Sequence, residues 1–240
     1  MMTGEKFIQN DISFYADGLK LQGILHLPQD RRPPVVIGCH GLYSSSNSPK
    51  QIALAGQCNR LGIAYFRFDH RGCGKSEGKF EDVTSLEARC RDLIAAVETI
   101  NNRIDTRGCL GLFGSSMGGT VCLSAASRLA TDAVVTLAAP VRSNLTDEQP
   151  EFSRSEIVFD AAKRGFDITE GLSKISNILI FHGEADDVVP VSHAREIYKL
   201  ARKPKKIIIQ KQGDHPMSNK GHQTEFIREA SQWFKQGLKI

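Results

Sequence analysis

Three short stretches of the chain carry residue types suited to acyl-transfer chemistry. Gly114-Ser115-Ser116-Met117-Gly118 follows an apolar run that reads as a strand and opens a run that reads as a helix. A serine on such a turn stands clear of the sheet, at the positive end of the next helix. The turn demands almost no side chain two residues before and two residues after it. Ser116 has Gly114 and Gly118 in those places, whereas Ser115 would have Phe113 and Met117, which do not fit. As a bare string the pattern is weak, and its position between strand and helix gives it weight. A glycine-rich helix start serving close packing is the competing reading.

A serine hydroxyl is a poor nucleophile near neutral pH and needs a base that is itself held by an acid. The acid candidate is Asp186, in the stretch His182-Gly183-Glu184-Ala185-Asp186-Asp187-Val188-Val189-Pro190 that follows a strand; Asp187 is the alternate and Glu184 a poorer one. Capping the next helix is the other use for such an aspartate, and Ser192 is expected to fill that position. The base candidate is His215, on the loop after the run ending at Ile209. Of the seven histidines, His26 falls in the N-terminal strands, His70 beside the Arg71 turn and His193 inside a helix; His222 begins the last helix and is the alternate base. Ser116, Asp186 and His215 then follow one of the convergent chain orders of a catalytic triad. Activity is expected to fall in acid as the histidine base takes a proton. A tetrahedral intermediate also needs two preset backbone donors, each worth ~2.7–4 kcal/mol of barrier. Met117 N–H, first in the helix after the serine, is one. Leu42 N–H, on the loop His40-Gly41-Leu42, is the other, with the His40 side chain as a brace for that loop.

The elements that must hold these stretches follow from the apolar pattern. Phe7–Tyr15 and Leu19–Leu27 read as a hairpin about Ala16-Asp17-Gly18. Val35–Cys39 is a continuous apolar run, as expected of a strand covered on both faces. Ser48-Pro49 reads as a helix start, and Thr84-Ser85-Leu86-Glu87 as a capping box. Strand-like runs at Ile63–Phe68, Cys109–Phe113, Ala133–Ala138, Ile178–Phe181 and Lys206–Ile209 alternate with helix-like runs. This alternation predicts a three-layer α/β sheet with helices on both faces. One stretch departs from the rhythm. Between Pro140 and Ser176 the chain is too long for a loop, and a helix over Phe152–Lys163 is expected there. We read 1–240 as a single domain with 140–176 as a small lid.

The chain has 240 residues, 40% hydrophobic and 24% charged, with a formal net charge of +4. That is the profile of a folded domain rather than a disordered chain. The densest basic run, Arg202-Lys203-Pro204-Lys205-Lys206, is short and reads as a solvated turn, so no nucleic-acid partner is expected. No apolar stretch approaches the ~20 residues of a membrane span, and the N-terminal residues show no secretory pattern. Six cysteines without a CxxC pair read as reduced core thiols, which points to the cytoplasm. Gly72-Cys73-Gly74-Lys75-Ser76 ends like a phosphate-binding loop, but Asp69 stands where that motif needs its first glycine. Metal-ligand spacing is absent from the sequence.

The chain resembles the α/β-hydrolase superfamily from about Ala16 to the last helix. The likeness rests on His40-Gly41, Asp69-His70-Arg71-Gly72-Cys73-Gly74-Lys75-Ser76, the turn at Ser116, His182-Gly183 with Asp186 and Val189-Pro190, and His215. Within the superfamily it is similar to acyl esterases of the cinnamoyl/feruloyl type and to the serine aminopeptidase/monoacylglycerol lipase group. The resemblance implies an eight-stranded, mostly parallel sheet and no cofactor. It also implies a serine carboxylesterase acting on a small-molecule ester of small to medium acyl size. Peptidase, thioesterase and monoacylglycerol lipase activity, or ligand binding without turnover, are the alternatives; the oligomeric state is left open.

Overall fold

A computed structural model of the chain describes residues 8–29, 32–126, 128–143 and 165–240. In chain order the strands are β1 (Ile8–Ala16), β2 (Leu19–Leu27), β3 (Val35–Cys39), β4 (Ala64–Phe68), β5 (Leu110–Ser115), β6 (Ala133–Leu137), β7 (Arg142–Ser143), β8 (Phe166–Asp167), β9 (Ile178–Gly183) and β10 (Lys205–Gln210). The helices are α1 (Pro49–Arg60), α2 (Phe80–Val83), α3 (Leu86–Arg103), α4 (Met117–Ala126), α5 (Thr169–Leu172), α6 (Ser192–Leu200) and α7 (Lys220–Gly237).

Eight strands form one sheet in the order β1-β2-β4-β3-β5-β6-β9-β10. Only β2 runs against the rest, pairing antiparallel with both β1 and β4. Every residue of β3, β4 and β6 is buried. Continuous apolar runs serve these strands because helices cover both faces. Alternate side chains go to opposite layers. Val35, Ile37 and Cys39 pack with Cys90, Leu93 and Val97 of α3 and Val121 of α4, whereas Val36 packs with Leu54 and Cys58 of α1 and Phe226 and Phe234 of α7. A third cluster joins Val134, Ile178 and Ile180 to Ala194 and Ile197 of α6. The expected doubly covered, mostly parallel sheet is thus present, and the loops at its C-terminal edge gather the candidate residues.

Several local expectations shift. The capping box is displaced by one residue: Ser85, not Thr84, caps α3 by accepting the Ala88 N–H at 3.1 Å. Thr84 is occupied in closing α2, its N–H donating to Phe80 O. Ser192 is not the cap of α6 but its first residue, after Val191. Ser48 sits at the expected cap of α1, yet its side chain makes no cap bond, and Pro49 supplies the start. Of the segment 140–176 the structure describes the two feet, where β7 and β8 pair antiparallel. The helix expected over Phe152–Lys163 lies outside the described residues.

Candidate active site

Ser116 closes the tight link from β5 into α4. Its φ is +52°, a left-handed conformation that costs a non-glycine residue energy and aims the side chain away from the sheet. Ser116 N–H donates to Leu137 O at 2.8 Å, and Ser116 O accepts Gly119 N–H at 2.7 Å, so strand and helix both clamp the strained residue. The flanking glycines are sterically obligatory. A methyl at Gly114 would run into the backbone of Gly118, and one at Gly118 into the carbonyl of Cys39.

His215 reaches this serine from the loop after β10. Its Nε2 lies 3.2 Å from Ser116 Oγ, and its Nδ1 lies 2.8 Å from Asp186 Oδ2. A ring nitrogen facing a carboxylate carries the proton, so Nδ1–H donates to Asp186 and Nε2 is left to accept from the hydroxyl. The loops are fastened together behind this contact: Ala185 N–H donates to Gly213 O at 2.9 Å, and Lys50 Nζ donates to Pro216 O at 2.9 Å.

Asp186 has a fully buried side chain. Its Oδ1 accepts Val188 N–H at 3.0 Å and Val189 N–H at 2.8 Å; its Oδ2 also lies 3.4 Å from His182 Nε2. Burial alone would raise its pKa, but hydrogen bonds from His182, His215 and Val189 outweigh that and hold the carboxyl well below the usual range. It is therefore a carboxylate throughout the neutral range. Asp187 and Glu184 are exposed on the same loop, Glu184 accepting Gln212 N–H at 3.4 Å. His222 lies on α7, where its carbonyl accepts Gln210 Nε2–H at 3.0 Å. The structure brings Ser116, His215 and Asp186 into one line of contacts and leaves the alternates out of it.

The loop after β3 lies against the serine: a Cβ at Gly41 would come 3.5 Å from Ser116 Cβ. Beneath it is a buried polar layer that sequence reasoning only partly saw. His40 Nε2 accepts His70 N–H at 3.0 Å, and its Nδ1 lies 2.7 Å from Gly41 O. This pattern defines one tautomer, Nδ1–H, and burial pushes the His40 pKa far down, so the ring is neutral. His70 Nδ1 is 3.2 Å from Asp92 Oδ2, and Arg71 pairs with Asp92 at 2.7 Å. Arg89 is buried beside them. Lys50, Arg89 and Asp92 were not singled out from the sequence, and His182 stood there only as part of the motif His182-Gly183, without a role of its own. Arg89 carried a usable signal, since with Leu93, Ala96 and Ile100 it keeps the apolar period of α3. The turn at 69–76 is no phosphate cradle: Asp69 Oδ2 accepts Lys75 N–H at 2.9 Å, and its Oδ1 accepts Ser46 N–H at 2.6 Å. Among the described residues no group of three or more His, Cys, Asp or Glu is placed to hold a metal ion, and no helix is long and apolar enough to cross a membrane.

Comparison with known proteins adds the lineage. The profile of the family described as "Serine aminopeptidase, S33" matches residues 31–159. The uncharacterized protein YfhR of Salmonella typhimurium is 30% identical over 236 residues, covering 91% of this chain and 78% of its own. The mitochondrial palmitoyl-protein thioesterase ABHD10 of Mus musculus is 26% identical over 217 residues, 79% of this chain and 71% of its own. Among solved structures, Est1E from Butyrivibrio proteoclasticus with bound ferulic acid superposes with a TM-score of 0.79. It is 21% identical, covering 95% of this chain and 100% of that one.

Proposed function

The chain belongs to the serine aminopeptidase S33 family of α/β hydrolases, and on that premise we propose that it is a serine hydrolase of the carboxylesterase kind. The single observation that carries this reading is the position of His215, with Ser116 Oγ 3.2 Å from one ring nitrogen and Asp186 Oδ2 2.8 Å from the other. Ser116 Oγ attacks the ester carbonyl while its proton passes to His215 Nε2. The tetrahedral intermediate collapses, the bond to the leaving alcohol breaks, and Nε2–H protonates that oxygen. A water molecule then repeats the sequence on the acyl-enzyme, and Asp186 holds the tautomer and balances the imidazolium that forms in each half.

Leu42 N–H and Met117 N–H are the proposed oxyanion donors. Support for Leu42 comes from the peptide that carries it. Its carbonyl, Gly41 O, receives His40 Nδ1–H, and in a trans peptide the N–H points the opposite way. Support for Met117 is its place as the first residue of α4, where N–H groups lack helical partners. The proposed substrate is a small-molecule ester of small to medium acyl size, handled by one domain in which 140–176 is an insertion. All six cysteines are free, which supports a reducing, cytoplasmic setting; a protein that loses activity on reduction would speak against it.

The test is labelling by a fluorophosphonate probe together with turnover of p-nitrophenyl butyrate. Both are expected in the wild type and lost in Ser116→Ala; equal turnover by that variant rejects the reading. A parallel panel of an acyl thioester and an aminoacyl p-nitroanilide sorts the reaction class. The ester is expected to show the highest kcat/KM. A faster thioester would move the reading to thioesterase, which the likeness to the mouse enzyme favours as the second reading.

A further inference from the structure

Arg89 stands on the inner side of α3 with no exposed surface. Its partners among the described residues are not carboxylates. Nη2–H donates to Leu42 O at 2.9 Å, Nη1–H reaches Gly41 O at 3.4 Å, Nη2 lies 3.3 Å from Cys73 Sγ, and the Phe80 ring centroid is 5.8 Å from the guanidinium carbon. Asp92 favours the Arg89 charge without bonding to it, being taken up by His70 and Arg71. A buried cation whose own hydrogen bonds go to carbonyls is an expensive way to pack a helix, and an apolar side chain of similar length would avoid the desolvation. Packing therefore gives no account of it. Its carbonyl partners do. Gly41 O belongs to the peptide whose other end is Leu42 N–H, and Leu42 O to the next peptide along.

We propose that Arg89 is a positioning residue for acyl transfer: its fork holds the Gly41 and Leu42 carbonyls so that the Leu42 amide faces the developing oxyanion, and its buried charge strengthens that donor. The inference rests on the serine-hydrolase reading above. Planarity makes the geometry rigid, because a carbonyl drawn toward α3 turns the amide on the same peptide away from α3. A hydrogen bond to a carbonyl also polarises its peptide, and the effect is larger where water is excluded. The His40 ring supplies a second, neutral donor to Gly41 O at 2.7 Å. Arg89 adds the charge and reaches the following carbonyl as well. Such a residue acts on the transition state more than on bound substrate, so it should move kcat and leave KM nearly alone.

The experiment compares wild type, Arg89→Met and Arg89→Lys with p-nitrophenyl butyrate. Rates are expressed per fluorophosphonate-titrated site, so that lost folded protein is not read as lost rate. Arg89→Met is expected to lower kcat by roughly tenfold to a hundredfold with KM within about threefold, somewhat less than deletion of an oxyanion donor costs. Binding of phenylboronic acid, whose tetrahedral adduct with the serine puts an oxygen where the oxyanion forms, should weaken by about the same factor. Should Arg89→Met fail to fold, Arg89→Lys decides, since it keeps the charge but not the fork; a loss of about tenfold in kcat is expected. An active wild type with kcat within twofold in either folded variant overturns this inference alone. So does a variant in which KM rises while kcat and boronate affinity hold. A wild type that neither turns over the ester nor binds the boronate overturns the serine-hydrolase reading, and this inference with it.

Discussion

Of the imidazole–carboxylate contacts at the C-terminal edge of the sheet, two pair through Nδ1, and distance barely separates them. His215 Nδ1 is 2.8 Å from Asp186 Oδ2, and His70 Nδ1 is 3.2 Å from Asp92 Oδ2. What differs is the far side of each ring. His215 Nε2 meets the hydroxyl of Ser116, and its side chain keeps 19% exposure. His70 Nε2 is buried without a hydrogen-bond partner among the described residues, and its side chain has no exposed surface. The two carboxylates differ as well. Asp186 Oδ1 is satisfied by two amide N–H groups, which leaves Oδ2 to the imidazoles. Asp92 is shared between His70 and Arg71, whose Nε–H and backbone N–H donate to it and whose Nη2 completes the ion pair at 2.7 Å. One pair is open at its far end, as the proposed proton relay requires, and the other is closed off. A search by distance alone would rank both as dyads; access and the partner of the distal nitrogen distinguish them.

Substitution at the two acids breaks the comparison most sharply. Asp186→Asn is expected to lower kcat by on the order of 10⁴ while the protein stays folded, because the tautomer of His215 is lost. Steady-state kinetics beside a thermal melt checks this, and a variant retaining most activity would move the acid role to another group. Asp92→Asn should reverse the pattern: about 3 kcal/mol of stability lost in denaturant unfolding, since Arg71 is left short of its buried counter-charge, with a far smaller change in rate per titrated site. Equal kinetic losses in both variants would erase the distinction.

Next in size is the turn that carries Ser116. Gly118→Ala forces a methyl into the carbonyl of Cys39 and should cost roughly 3 kcal/mol, the upper end of overpacking, read as a lowered unfolding midpoint. A stable variant of normal midpoint would mean that the β3 loop gives way easily.

A smaller effect concerns pH. His26 Nε2 accepts Arg67 Nε–H at 2.8 Å, and Arg67 Nη1 donates in turn to Ser46 O at 2.8 Å, which ties the ring to the layer beneath the β3 loop. Burial first, and then the Arg67 charge, push the His26 pKa down to about 4. The unfolded chain takes up this proton near the ordinary histidine value, whereas the folded chain resists it. Stability from this site is therefore complete above about pH 6.5 and declines as pH falls toward about 4. Denaturant midpoints between pH 7 and 4 should fall more steeply in the wild type than in His26→Gln; parallel profiles would refute the assignment. The smallest effect is expected at Asp187. Its exposed side chain predicts a kcat within about twofold in Asp187→Asn, measured beside Asp186→Asn.

Much of the frame was legible beforehand. Continuous apolar runs marked the buried strands, and glycines two residues either side of Ser116 marked the turn. Boundaries moved by one residue where caps were involved: at Ser85 because two polar neighbours compete for one cap and only the backbone angles choose, and at Ser192 because the helix already includes it, with Val191 before it and no side-chain cap. Neighbouring carboxylates posed the same difficulty. Asp186 and Asp187 are chemically equal in a string of letters; one turns inward onto two amides and His215, the other outward to water. Arg89 was harder still, because a charged residue on a helix is ordinarily solvated, and its place on the apolar stripe of α3 is the one local hint that it is not.

By itself the amino-acid sequence determined the alternation of strand and helix, the strained turn at Ser116 and the chain order of the three candidate groups, because backbone sterics and apolar periodicity act over a few residues. The tertiary structure alone decided which acid meets which imidazole, which imidazole meets the hydroxyl, and what stands behind the Leu42 amide. Those contacts join residues up to 99 positions apart in the chain, and they form only when the loops at one edge of the sheet are packed against one another.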